Sequence, residues 1–299
     1  MSNNLNHTTI SNRRNLNLSQ IIDEAIHSNV IKALEEDLGG SIQIENDLSA
    51  SLISNNNVCE ATIIFKEDGI LCGTSWATEV FNILSEKITI NWNYQDGDHI
   101  KAGEKICSIT GPSKEILIGE RSALNFLQTL SGCSTKVNEY CSILKNSKIR
   151  ILDTRKTIPG LRTALKYAVK CGGGLNHRHG LYDAFLIKEN HIASCGSITE
   201  AVNKAKSIAP NKLIEVEVEN INELQEALKN NVDVIMLDNF SIEMIHQATE
   251  INKQKVPLEV SGDINLNNLT QYLDTNVDYI SIGALTKNIK ALDLSLRIK

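Results

Sequence analysis

Between Ile149 and His191 the chain reads IRILDTRKTIPGLRTALKYAVKCGGGLNHRHGLYDAFLIKENH, which gathers Arg155, Lys156, Arg162, His177, Arg178, His179 and Lys188 near glycines. A guanidinium grips a carboxylate or phosphate two oxygens at a time, and an ammonium acts as a point charge. The whole chain carries a formal net charge of -6, so this is a local cationic cluster on an acidic protein. It points to a pocket for a small polyanion. A nucleic-acid surface would instead need broadly spread positive charge.

Anionic and small residues follow. LIEVEVEN alternates, so Glu215, Glu217 and Glu219 are expected on one face of a strand. Asp238 closes the apolar run VDVIMLD. Carboxylates ending adjacent strands can hold a hydrated divalent ion or the hydroxyls of a sugar. Surface or structural roles are the commoner fate of such residues, but a charge that ends an apolar strand is harder to dismiss. VSGDI brings Ser261, Gly262 and Asp263, and ISIGALT brings Gly283 and Ala284. Glycine lets backbone N–H groups approach an anion, and a helix N-terminus adds a favourable dipole.

Three other readings carry less. Lys188 at a strand end could form a Schiff base if neighbouring cations lowered its pKa, but no other aldolase feature accompanies it. Cys171 beside GGG could be a nucleophile, although a small buried apolar residue is the plainer reading. GGGLN does not follow a strand in a G-x-G-x-x-G pattern, so a Rossmann loop fits poorly. The glycines read better as the end of the helix LRTALKYAVKC.

These residues need a scaffold. SQIIDEAIHSNVIKALEED predicts a helix capped by Ser19 and stopped near Gly39. From Cys59, short β-rich runs alternate with DG and AG turns, and ILIGERSALNFLQTLSG reads as a helix. After about Ser131 strand and helix alternate, with strand ends expected near Asp153, Lys188, Glu217, Asp238, Ser261 and Gly283. The last four markers are 21, 23 and 22 residues apart, the length of one βα unit. A helical pattern at Leu266, Leu269 and Leu273 follows SGDI. Repeated βα units imply a parallel sheet with right-handed crossovers. The polar markers all close their strands, at the face where (β/α) barrels carry active sites. Six readable strands leave a barrel of fewer than eight open.

Composition sets outer limits. Of 299 residues, 41% are hydrophobic, 22% charged and only 4% aromatic, which fits a globular protein with an aliphatic core. Seven cysteines without a CxxC pair point to reduced thiols and a cytoplasmic location. No apolar run reaches the ~18 to 20 residues of a membrane span. The Asn-rich start lacks the apolar region of a signal peptide and is expected to be a tail over 1–17.

DTRKTIPGLR, KYAV, GGGLNHRHGL and LIKENH, in order, resemble the quinolinate phosphoribosyltransferase family. The resemblance continues through EVEVEN, IMLDN, LEVSGDI and ISIGALTKN, includes ERSALNFLQTLSG upstream, and spans roughly Leu34 to Leu296. It implies an α/β fold: an N-terminal α/β sandwich domain over 18–131, joined by 291–299, and an open, incomplete (β/α) barrel of the type II phosphoribosyltransferase kind over 132–290. It implies transfer of phosphoribose from phosphoribosyl pyrophosphate to quinolinate with decarboxylation, using Mg²⁺, in a homodimer whose subunits complete each other's sites. By the same resemblance Arg155, His177, Arg178 and Lys188 line the quinolinate pocket, Thr154 is substrate-binding, and Arg121 comes from the neighbouring subunit. Lys156 meets the phosphates, and Glu217 and Asp238 serve the metal and ribose. Ser261, Gly262, Asp263, Gly283 and Ala284 are assigned to the 5′-phosphate. One departure stands out: the family commonly has Gly or Asn where this chain has Asp263, so any phosphate contact there should use the backbone N–H. The alternatives are the same-fold transferases encoded with molybdate-transport genes and a non-catalytic phosphosugar binder. The full TRK, NHR and LIK set favours quinolinate.

Overall fold

The computed structural model describes residues 18–54 and 57–299, with the side chains of Ser19 and Gln20 excepted. The tail expected over 1–17 and the side chain of Ser19 lie outside the described residues; the helix already begins at Leu18, so Ser19 stands within its first turn and not at the cap expected of it. The chain divides into two compact units. Of the described residues, one holds 18–54, 57–138, Ile158–Gly173 and Asn288–Lys299; the other holds Glu139–Thr157 and Gly174–Lys287.

The first unit opens with helix α1 (Leu18–Asp37), which buries Ile26, Val30 and Leu34 at four-residue steps, one face of a 3.6-residue period. Strands β1 (Val58–Phe65), β2 (Gly69–Ile70), β3 (Thr89–Trp92), β4 (His99–Ile100) and β5 (Lys105–Pro112) follow, with α2 (Thr74–Leu84) between β2 and β3. Ala61, Ile63 and Phe65 alternate along β1 and are wholly buried. Helix α3 (Ser113–Ile143) runs straight through the position where sequence alone set a domain boundary. Helix α4 (Arg162–Cys171) packs in this unit, and Gly172 caps it as expected of the glycine run. Strand β12 (Leu294–Ile298) pairs with β1 from Ala61↔Ile298 to Phe65↔Leu294 and completes an antiparallel sheet of order β12-β1-β5-β3.

The second unit is a parallel sheet. Its strands are β6 (Arg150–Leu152), β7 (Ala184–Ile187), β8 (Leu213–Val218), β9 (Val234–Asp238), β10 (Leu258–Ser261) and β11 (Tyr279–Ser281). Each ends within two residues of the polar marker read from sequence. The spatial order is β6-β11-β10-β9-β8-β7, every pair parallel. β6 and β7 are the two edges, so the sheet does not close into a barrel, in agreement with the expected open α/β architecture. Helices α5 (Glu189–Cys195), α6 (Ile198–Ile208), α7 (Ile221–Lys229), α8 (Ile242–Asn252) and α9 (Ala284–Lys287) connect or follow the strands. Side chains of Ser197, Asn220 and Ser241 cap α6, α7 and α8 by accepting backbone N–H bonds.

Two local expectations need correction. Leu266, Leu269 and Leu273 do not share an α-helix; only a 3-10 turn forms over Leu269–Tyr272. Asn268 accepts the Asn265 N–H, and the Asn265 and Asn268 amides donate to the Asp263 carbonyl, so side chains compete for the bonds a helix needs. Glu219 does not share the face of Glu215 and Glu217: the strand stops at Val218, and Glu219 is exposed while the other two are buried.

Candidate active site

A cavity of about 300 Å³ lies at the C-terminal ends of the parallel strands, and all six strands or the segments leaving them contribute to it. Thr154, Arg155 and Lys156 follow β6, and His177 and Arg178 precede β7. Leu186 and Lys188 come from β7 and its end, Glu217 from β8, Met236 from β9, Ser261 from β10 and Ser281 from β11. Eight residues predicted from sequence therefore converge on one hollow.

The two cationic loops are fastened to each other. Asp153, wholly buried, accepts the Asn176 side-chain amide at 2.6 Å and the His177 N–H at 2.8 Å. Arg178 donates Nη1–H to the Ala184 carbonyl at 3.0 Å. Burial, followed by the charge of Arg155, lowers the pKa of its guanidinium, while Asp183 and Glu215 act in the other direction. Asp183 itself accepts the N–H groups of His179 and Gly180. The Lys156 N–H reaches Thr154 Oγ1 at 3.0 Å, its carbonyl accepts from Thr286 Oγ1 at 2.8 Å, and its side chain is exposed. A Cβ on Gly283 would fall 2.8 Å from Lys156 Cδ, so glycine keeps room for the lysine stem.

The anionic side of the cavity is coupled to a cation. Lys188 Nζ lies 2.5 Å from Glu217 Oε2, with the Lys188 backbone N–H held by His191 Nδ1 at 3.0 Å. Burial raises the pKa of the Glu217 carboxyl above its ordinary value; Lys188 opposes the rise, and Asp238 and Glu189 add to it. Asp238 is half-buried, accepts the Asn239 side-chain amide at 2.9 Å and pairs in register with Ser261.

Beneath the cationic loops, His177 Nδ1 accepts the Arg178 N–H at 2.8 Å, so a proton on the neutral ring sits at Nε2. That nitrogen lies 3.0 Å from Glu215 Oε2 and 3.7 Å from Glu259 Oε1, and both glutamates are at most 1% exposed. Both ring nitrogens thus meet protein groups, which leaves His177 to offer a ring face or a charge.

Gly262, at φ +118°, takes a backbone conformation only glycine adopts freely, and a Cβ there would strike Asn239 Oδ1 at 2.2 Å. Asp263 follows at φ 22°, exposed. Gly262, Asp263, Gly283 and Ala284 adjoin the strand ends without lining the cavity. Arg121 is exposed on α3 in the other unit and is not among the lining residues.

Sequence reading missed Leu186, Met236, Ser281 and Glu259, and it set Glu215 on the face of Glu217 without giving it a role. A period-2 signal could have found them. Each sits two residues before a marker: Leu186 before Lys188, Glu215 before Glu217, Met236 before Asp238, Glu259 before Ser261, Ser281 before Gly283. Strand residues two apart share a face.

Glu217 and Asp238 offer oxygen donors from adjacent strands. Neither joins a three-residue ligand group among the described residues, where such groups are Cys72, Asp96, Cys171 and His177, Glu215, Glu259. Two carboxylates, one already engaged by an ammonium, fit a magnesium ion that keeps most of its water or phosphate oxygens, not an all-protein cage.

Compared with known proteins, residues 47–131 match the N-terminal domain of quinolinate phosphoribosyl transferase and residues 133–297 its C-terminal domain. A Bacillus subtilis relative, a probable nicotinate-nucleotide pyrophosphorylase (carboxylating), is 42% identical over 264 residues, covering 88% of this chain and 90% of that protein. The Mycobacterium leprae nicotinate-nucleotide pyrophosphorylase (carboxylating) is 33% identical over 286 residues, 93% of this chain and 99% of its own. Among solved structures, the nicotinate-nucleotide pyrophosphorylase from Francisella tularensis superposes with a TM-score of 0.88 at 46% identity, covering 92% of this chain and 96% of that one.

Proposed function

This chain belongs to the quinolinate phosphoribosyltransferase family, and we propose that it converts quinolinate and phosphoribosyl pyrophosphate to nicotinate mononucleotide, pyrophosphate and CO₂, an entry step to NAD. The observation that carries this reading is the placement of Arg155, Arg178 and Lys188 around one cavity that also holds Glu217. Three cations suit a dicarboxylate, and the adjoining carboxylate suits a sugar that becomes positive as its pyrophosphate leaves.

Arg155, Arg178 and Lys188 bind and orient the two carboxylates of quinolinate. Lys188 must then share or leave Glu217, its partner at 2.5 Å. The freed charge of Glu217, with that of Asp238, faces the ribose as the C1–O bond to pyrophosphate breaks and the ring nitrogen attacks. Lys156 steadies the departing pyrophosphate, and the backbone of Ser261, Gly262 and Asp263, with Gly283 and Ala284, receives the 5′-phosphate. The C2–carboxylate bond then breaks, CO₂ leaves, and the electron pair stays on the ring next to the cationic nitrogen until a proton replaces it. When bound, Mg²⁺, held at Glu217 and Asp238, supplies charge neutralisation to the phosphate oxygens.

Arg121 completes the cavity of a second copy, making a homodimer with composite sites. The cytoplasm is the proposed location, in keeping with seven unbridged cysteines; no helix among the described residues is long and apolar enough to cross a membrane. Mass spectrometry of the products formed with both substrates tests the reading. Nicotinate mononucleotide and CO₂ in equal amounts are expected. Binding without turnover, or transfer to another acceptor only, would overturn it.

A further inference from the structure

The antiparallel-sheet unit holds a convergence of reactive groups of its own. One ligand atom each of Cys72, Asp96 and Cys171 lie within 4.8 Å of one another, although the three residues come from distant parts of the chain. Cys72 is wholly buried and Cys171 half-buried. The surroundings fix the Cys72 backbone and the helix that carries Cys171. Ser131 Oγ accepts the Cys72 N–H at 2.9 Å and donates to the Cys72 carbonyl at 3.2 Å, while Ser134 Oγ donates to the Ala168 carbonyl of α4 at 2.8 Å.

Two thiols and a carboxylate could hold a soft metal or could join to each other. The metal option needs thiolates and an available carboxylate. Asp96 is already engaged: it accepts the N–H groups of Gly73 and Thr74, both at 3.1 Å, and the Tyr167 hydroxyl at 2.8 Å. Burial, then the neighbouring Cys171 and Asp96, holds the Cys72 thiol well above its usual pKa. The engaged carboxylate weighs against a metal, and the protonated, buried Cys72 is the slower nucleophile of the pair, which leaves the first attack to Cys171. A disulfide needs its sulfurs about 2 Å apart, and one side-chain rotamer change moves a sulfur by roughly 3 Å.

We propose that Cys72 and Cys171 form a thiol pair that hydrogen peroxide closes into a disulfide. The more accessible Cys171 sulfur attacks peroxide, the O–O bond breaks, and Cys171 becomes a sulfenic acid as water leaves. The Cys72 sulfur then attacks the Cys171 sulfur. The S–O bond breaks, and the departing hydroxide takes the Cys72 proton to give a second water. Two thiols lose two electrons and the peroxide gains them. A dithiol reductant reverses the change.

The test uses the full-length protein. After mild peroxide treatment and blocking of free thiols in denaturant, which opens the buried Cys107 and Cys133 as well, two of the seven cysteines should escape blocking, and peptide mapping without reductant should find Cys72 joined to Cys171. Cys72→Ser should leave a sulfenic acid at Cys171 that dimedone traps, and Cys59→Ser should leave the link intact. Peptide maps of the untreated and treated wild-type chain decide the matter even if a variant folds poorly. Overoxidation of Cys171 with Cys72 still free, or stoichiometric zinc that survives chelation and blocks the link, would overturn the proposal.

Discussion

Changing Glu217 to Gln should separate binding from turnover, because the residue is proposed to do two opposed things. In the free protein its carboxylate sits 2.5 Å from Lys188 Nζ, and a hydrogen bond between charged groups is worth roughly 1.5–3 kcal/mol net. A dicarboxylate must compete with that bond for Lys188. A neutral amide of the same shape would hold the ammonium about half as strongly, which frees roughly 1 kcal/mol and tightens quinolinate binding by about fivefold. Turnover should move the other way. Loss of a fixed negative charge facing a developing cation costs on the order of 10²–10³ in kcat, by analogy with removal of one preorganised electrostatic group. Calorimetric titration of quinolinate without phosphoribosyl pyrophosphate gives the first quantity, and kcat at saturation of both substrates gives the second. Adding Lys188→Met should abolish the gain in affinity, since the gain acts through that ammonium. Weaker quinolinate binding in Glu217→Gln, or an unchanged kcat, would refute the reasoning.

Three further outcomes are expected. Nicotinate lacks one carboxylate and leaves a pocket cation unanswered, at a cost of roughly 1–3 kcal/mol, so its kcat/KM should be at least about fivefold below that of quinolinate; equal efficiencies would remove the dicarboxylate assignment. Mixing inactive Arg121→Ala and Lys188→Ala subunits should restore activity towards roughly a quarter of wild type, because half of randomly formed dimers are mixed and each has one intact site of two; no recovery despite measured subunit exchange would mean that Arg121 does not act in trans. The raised pKa of Glu217 implies that its contribution to folding is present below the ordinary value of 4.5 and is lost as pH rises through the folded-state value. Above pH 4.5, the Tm of wild type should therefore fall relative to that of Glu217→Gln, and the acid limb of kcat should lie above 4.5 and vanish in the variant.

The sequence made the strand ends legible because each βα unit closes an apolar run with one polar residue, as VIMLD does at Asp238. It made the cations legible because four of them fall in short strings around Arg155 and Arg178. Glu259 was harder to place, since a lone glutamate inside a strand reads as a solvent-facing position until its burial is known. At Leu269–Tyr272 the apolar spacing suits a helix, but asparagines that bind their own backbone leave only a 3-10 turn. The meeting of Cys72, Asp96 and Cys171 could not be read from any local pattern, for only folding brings such distant residues together. The same limit hid which edges of the parallel sheet stay open: strand count is a local property, whereas the pairing of β6 with β11 is a long-range one.

The bond between Lys188 and Glu217 also bears on waste. An activated sugar that enters a site already primed to stabilise its cation is exposed to attack by any nearby water. If Glu217 serves the ribose as proposed, its charge would be masked by Lys188 until an acceptor arrived whose own carboxylates drew that lysine away. Hydrolysis without transfer would then be disfavoured by the resting arrangement of two side chains, with no door or lid required. An enzyme so built would guard a costly donor by making the second substrate the key to its own reaction.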